Sequence, residues 1–184
     1  MKPRPRCVVV EGPEGSGKTT LAKRLAEDLE MTYKHEGPPP DLNAAQMFRH
    51  YIDPIVGLEK PTVFDRLGYS EFVYGPFLRS GTVFSPHGYM DLVKAYATHI
   101  LCLPPLETVI ENWKASKKRQ EAVTLEILCR VWFAYNDAGS RSFDLHYSYP
   151  AGGETSYRIV RDYIRNKHVG VITDVRWNPD DYKD

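Results

Sequence analysis

Val8-Val9-Val10-Glu11-Gly12-Pro13-Glu14-Gly15-Ser16-Gly17-Lys18-Thr19-Thr20-Leu21 is the stretch on which the fold turns. The run from Arg6 to Val10 is apolar and β-branched, as expected of a central parallel strand buried on both faces, and it breaks into a glycine-rich segment. Thr19 to Glu30 follows with Leu21, Leu25 and Leu29 four apart among Lys23, Arg24, Glu27 and Asp28, which predicts an amphipathic helix. In this strand, loop, helix context Gly12 to Thr19 satisfies the phosphate-binding pattern G-x-x-x-x-G-K-[ST]. Its glycines let backbone N–H groups converge on phosphate oxygens, and the helix turns its positive end to the same charge. Lys18 is expected to bridge β- and γ-phosphates and the Thr19 hydroxyl to ligate Mg²⁺. This assigns Gly12, Pro13, Glu14, Gly15, Ser16, Gly17, Lys18, Thr19 and Thr20 to ATP binding.

Further along, Met31 to Lys34 reads as a second strand, and Pro38 to Pro40 force a loop. Leu42 to Leu58 reads as mixed helix broken at Pro54, and Thr62 to Phe64 as a strand delivering Asp65 and Arg66 at its carboxyl end, where open parallel sheets place ligands. Ser70 to Leu78 predicts a helix, Gly81 to Gly88 a loop, Met90 to Ala97 a helix and His99 to Leu103 a strand. A helix is expected from Pro104-Pro105 to about Ala115, a packed helix over Leu125 to Tyr135, an amphipathic helix over Tyr157 to Arg165 and a last strand over Val169 to Ile172. Alternation of strands and helices around a glycine-rich first turn implies a three-layer α/β P-loop NTPase fold, with a mostly parallel sheet of about five strands flanked by helices. One domain over residues 1–184 suffices, with a polar excursion at 114–121 as lid.

Composition narrows the partners. Lys plus Arg, 24, balances Asp plus Glu, 24, so no large field draws the chain to long nucleic acids or an acidic membrane, and a small anionic substrate suits it better. No apolar run approaches the roughly 20 residues of a membrane span, and the start MKPRPRCVVV passes too quickly from charge to strand for a signal peptide. Cys7, Cys102 and Cys129 are odd in number, lack metal-ligand spacing and fall in apolar stretches, which points to a reduced cytoplasmic compartment. His35, His50, His87, His99, His146 and His168 have no metal spacing, and none is given a catalytic role. The closing Asp181-Tyr182-Lys183-Asp184 resembles the start of an epitope tag and is given no part in the fold.

Three stretches resemble the thymidylate kinases and their relatives among nucleoside monophosphate kinases. Val10 to Thr20 is similar to that family's phosphate loop, with Glu14 at the position that the resemblance sets near the acceptor sugar. Asp65-Arg66, Ser70 and Tyr74 follow its D-R-x-x-x-S-x-x-x-[YF] pattern, implying that Arg66 holds the acceptor phosphate and Asp65 helps organise magnesium, directly or through water. Thr98 to Glu107 resembles its strand, turn and acid before the lid-bearing helix. The likeness runs through the chain in order, and the first two matches are the specific ones. The chain departs from the family at His35-Glu36-Gly37-Pro38 and in the short stretch from there to Asp65, where the acceptor base is normally enclosed. Glu36, Phe48 and Arg49 are the acceptor-side candidates there.

The lid candidate Lys114-Ala115-Ser116-Lys117-Lys118-Arg119 lies where the family carries cations over the transferring group, with Arg119 favoured for its planar fork. The expected machinery is therefore Lys18, Asp65, Arg66 and Arg119 acting on ATP, Mg²⁺ and a deoxynucleoside monophosphate. A nucleoside, or a modified base such as hydroxymethyluracil in DNA, is the alternative acceptor, with Lys2, Arg4, Arg6 and the Lys117 cluster as a groove. A regulatory nucleotide-binding ATPase is the reading from another class, and a homodimer is left open.

Overall fold

The computed structural model describes residues 7–37, 42–78, 86–116, 122–149 and 153–167. Five strands, β1 (Cys7–Glu11), β2 (Thr32–His35), β3 (Thr62–Asp65), β4 (Thr98–Cys102) and β5 (Leu145–Tyr147), form one sheet in the order β2-β3-β1-β4-β5. Every pairing is parallel. The helices between them are α1 (Lys18–Asp28), α2 (Ala44–Val56), α3 (Tyr69–Leu78), α4 (Pro86–Tyr96), α5 (Leu106–Ala115), α6 (Leu125–Ser142) and α7 (Gly153–Asn166).

Because strand side chains alternate, the central strands split their residues between two cores. Val8 and Val10 of β1, Val63 of β3 and Ile100 of β4 meet Leu21 and Leu25 of α1 and Tyr157, Val160 and Ile164 of α7. Val9, Phe64 and Leu101 face the other way, into a larger core with Tyr51, Tyr89, Val109, Leu128 and Tyr135 from α2, α4, α5 and α6. The strand runs are apolar on both faces because both faces are covered.

Several expected boundaries move. The chain continues helically through Pro54 to Val56 instead of breaking there, since Pro54 stands in the last turn and forfeits a single backbone bond before Gly57 donates to Asp53 O at 2.9 Å. Pro86 to Gly88, expected as loop, opens α4, a position where proline's missing N–H costs nothing. α6 runs to Ser142, beyond Tyr135, and the fifth strand is Leu145–Tyr147. The strand expected at Val169–Ile172 and the tag-like terminus lie outside the described residues.

Candidate functional site

The register of β1 on β3 pairs Val10 with Asp65, so the phosphate loop and the Asp65-Arg66 pair leave neighbouring strands at the same edge. Within the loop, Gly12, Gly15 and Gly17 have φ of 152°, 80° and 79°, which only glycine adopts without strain. A Cβ on Gly12 would meet Cys102 O at 2.3 Å, and one on Gly17 the Tyr149 ring at 2.5 Å. Lys18 is buried, its Nζ donating to Pro13 O at 3.3 Å. Burial, and then the Arg66 charge, lowers its pKa to about 7.

Strand parity sends Asp65 toward α1. Its Oδ2 accepts the Thr19 hydroxyl at 2.6 Å and the Tyr33 hydroxyl at 2.9 Å, and lies 3.1 Å from His35 Nδ1. Burial and this carboxylate raise the Tyr33 phenol to about 12. Asp65 Oδ1 and Ser16 Oγ, both buried, have no hydrogen-bond partner among the described residues. A buried carboxylate oxygen left open beside a threonine hydroxyl is a hard-oxygen donor set, which fits Mg²⁺. Among the described residues no cluster of three or more His, Cys, Asp or Glu could hold a metal by itself.

Opposite parity sends Glu11 to the other face, where it is fully buried. It accepts from Leu67 N at 2.9 Å, Ser70 Oγ at 2.6 Å and Tyr135 OH at 3.3 Å. Desolvation raises its pKa, opposed by these bonds and by Arg66. The Arg66 guanidinium lies 3.5 Å from both Ser70 Oγ and Tyr74 OH and 4.9 Å above the Tyr74 ring centroid. Contacts at that limit hold it loosely, so an incoming anion can take its donors. Tyr74 OH also accepts the Glu14 N–H at 2.8 Å, which ties helix α3 to the glycine-rich loop.

One further polar side chain reaches the loop. Asn112 Nδ2 donates to Gly15 O at 3.0 Å and to Tyr149 OH at 2.9 Å. Beside Gly17 a cleft of about 440 Å³ opens between α1 and the β5–α7 segment, walled by Thr20, Leu21, Arg24, Tyr147, Tyr149 and Tyr157.

The structure thus brings together Glu14, Lys18, Thr19, Asp65, Arg66, Ser70 and Tyr74. Glu36 is half-buried, its N–H on Asp65 O at 3.3 Å. Phe48 is 5% exposed and packs in the larger core, and Arg49 is exposed on α2. Lys114 and Ser116 end α5, whereas Lys117, Lys118 and Arg119 lie outside the described residues. Sequence reasoning gave no role to His35, and it read Tyr135 as core. Tyr135 is fully buried but turns its hydroxyl to Glu11, a contact that no local pattern announces.

Sheet and helices define a five-stranded, all-parallel α/β protein of the P-loop NTPase kind. It is similar to the YorR protein of Bacillus subtilis in complex with phosphorylated GDP, with TM-score 0.65 and 19% identity over 86% of this chain and 94% of that one. It is also similar to the deoxyadenosine kinase of M. mycoides. The form with bound dATP has TM-score 0.54 and 14% identity over 87% and 99% of the two chains. The form with the products dCMP and dCDP has TM-score 0.51 and 12% identity over 86% and 98%. At these identities the likeness is one of fold. No protein-family model matches the sequence, and no curated protein does.

Proposed function

We propose that the chain is an ATP- and magnesium-dependent kinase that transfers the γ-phosphoryl group to a deoxynucleoside monophosphate of thymidylate-like kind. The observation that carries this reading is the junction of two anion grips at one sheet edge: the Lys18 loop on β1, and the loosely held Arg66 on β3, joined through Tyr74 OH to the Glu14 amide. Two anionic reactants need two such grips, and the likeness in fold to a nucleotide-bound deoxyadenosine kinase agrees with the reading.

Loop amides and Lys18 would hold the triphosphate, and the aromatic cleft beside Gly17 is of a size and character to take its base. Thr19 and Asp65 would hold magnesium, which when bound neutralises charge on the β- and γ-oxygens. Arg66 would orient the acceptor phosphate so that one of its oxygens forms a bond to the γ-phosphorus as the bond to ADP breaks, with Glu14 at the sugar. A lid cation, Arg119 by sequence, would complete the cage. Catalysis is then positioning and charge neutralisation, with no covalent enzyme intermediate.

A nucleoside acceptor is the second reading, favoured by the deoxyadenosine kinase neighbours. The groove for a DNA acceptor would need Lys2, Arg4, Arg6 and the Lys117 cluster, all outside the described residues. Incubation with γ-labelled ATP, Mg²⁺ and separate nucleosides, monophosphates and duplex DNA decides among them. Label in a monophosphate, lost in a folded Lys18→Ala variant, is the expected result. Label in a nucleoside or in DNA moves the acceptor. Release of inorganic phosphate alone overturns the kinase reading in favour of an ATPase.

A further inference from the structure

Glu11 ends β1 one residue before the phosphate loop and is 0% exposed. Burying a carboxylate so deeply is strongly unfavourable unless donors surround it. Its three recorded partners, Leu67 N–H, the Ser70 hydroxyl and the Tyr135 hydroxyl, all donate, a set that suits the ionised form, which only accepts.

These bonds converge on one turn. After β3 the chain passes through Arg66 with φ of 70°, a left-handed conformation that strains any residue with a side chain. Three successive N–H groups hold it there, each on a different partner: Arg66 on Val10 O, Leu67 on Glu11 Oε1 and Gly68 on Tyr89 OH, each at 2.9 Å. Glu11 takes the middle one. Through Ser70, whose Oγ donates to Glu11 and lies 3.5 Å from Arg66 Nη1, the same carboxylate also reaches the guanidinium.

We infer that Glu11 is a positioning residue for the acceptor: it fixes the left-handed turn that presents Arg66, meets the guanidinium only through Ser70, and ties that grip to the strand carrying the donor loop. This rests on the reading of Arg66 as the acceptor-phosphate grip. An amide is a poor substitute: with its oxygen on Leu67 N–H, its NH2 faces the Ser70 and Tyr135 hydroxyls, which would have to turn and accept, and the negative charge beside Ser70 and Arg66 is lost.

The test compares wild type, E11Q, Y135F, R66A and E11Q/R66A with ATP and whichever of dTMP, dCMP, dAMP or dGMP wild type phosphorylates fastest, alongside ATP binding by calorimetry and thermal melts. In E11Q the acceptor KM is expected to rise by about tenfold, with kcat and the ATP Kd each moving by less than about threefold. Y135F, which removes one donor, is expected to raise the acceptor KM by about twofold to threefold. Because Glu11 acts through Arg66, E11Q adds nothing further in the R66A background. An unchanged acceptor KM in folded E11Q, effects that multiply in the double variant, or ATP binding weakened as much as acceptor use would each overturn the inference. Should E11Q not fold, Y135F decides, and an unchanged acceptor KM there overturns it. Wild type that phosphorylates none of the four monophosphates removes the reading of Arg66 as an acceptor-phosphate grip and the inference with it, a failure distinct from an inert Glu11 substitution.

Discussion

Gly12 shows how little freedom single residues have at this edge of the sheet. Its φ of 152° and the 2.3 Å that would separate an added Cβ from Cys102 O combine backbone strain with a clash against main chain, which cannot rotate away. Gly12→Ala is therefore expected to lose about 2 kcal/mol of stability and most nucleotide binding, read by urea denaturation and calorimetry. Asp65 is the counterpart on β3, with one oxygen accepting from Thr19 and Tyr33 beside His35 and the other open. Asp65→Asn should leave folding nearly intact while reducing Mg²⁺-dependent transfer by about 100-fold or more, measured by titrating Mg²⁺ against rate. Of these residues the loop, Asp65 and Arg66 were legible because their spacing is local. Glu11, Tyr33 and Tyr135 were not legible as a group, since only tertiary packing brings positions so far apart in sequence to one point.

At the scale of elements, α7 is fastened to α1 by a compact set of contacts. Tyr157 OH donates to Asp28 Oδ2 at 2.6 Å, Arg24 stacks on the Tyr157 ring at 3.6 Å, and Arg24 pairs with Glu154 at 2.7 Å. The exposed ion pair contributes little, whereas the fully buried ring contributes most of the fastening. Tyr157→Ala should thus cost about 3–5 kcal/mol and Tyr157→Phe about 1 kcal/mol, measured by chemical denaturation. α2 begins with a capping box in which Asn43 and Gln46 bond reciprocally at 2.9 and 3.1 Å, so Asn43→Ala is expected to cost about 1 kcal/mol in the same assay. Elements with strong periodicity were read within a few residues of their ends. β5 was missed because Leu145-His146-Tyr147 is three residues long, has no β-branched run and lies at the sheet edge. The extension of α6 past Tyr135 was hidden by the polar run Asn136 to Ser142.

At the scale of the whole molecule, stability carries a pH signature from the centre of the larger core. His99 is fully buried between the Tyr69 and Phe143 rings, its Nδ1 on Ser142 O at 3.2 Å and its Nε2 without a partner among the described residues. Burial lowers its pKa to about 4 from an ordinary 6.5. Between those values the unfolded chain holds a proton that the folded chain lacks, so stability falls as pH drops from about 6.5 to about 4. The loss reaches on the order of 3 kcal/mol. His99→Gln should flatten that slope in melts taken across the window. The sheet also divides the site's labour, since its alternation sends Asp65 toward α1 and Glu11 toward α3 and α6.

Trp113 is 9% exposed, and its backbone N and Cβ come within 3.1 and 3.3 Å of the place a Cβ on Gly15 would take. A tryptophan whose main chain and Cβ abut the phosphate cradle is placed to serve as a built-in optical gauge: loading a polyphosphate is expected to change its surroundings, and with Trp132 and Trp177 replaced its emission should track occupancy without label or coupled assay.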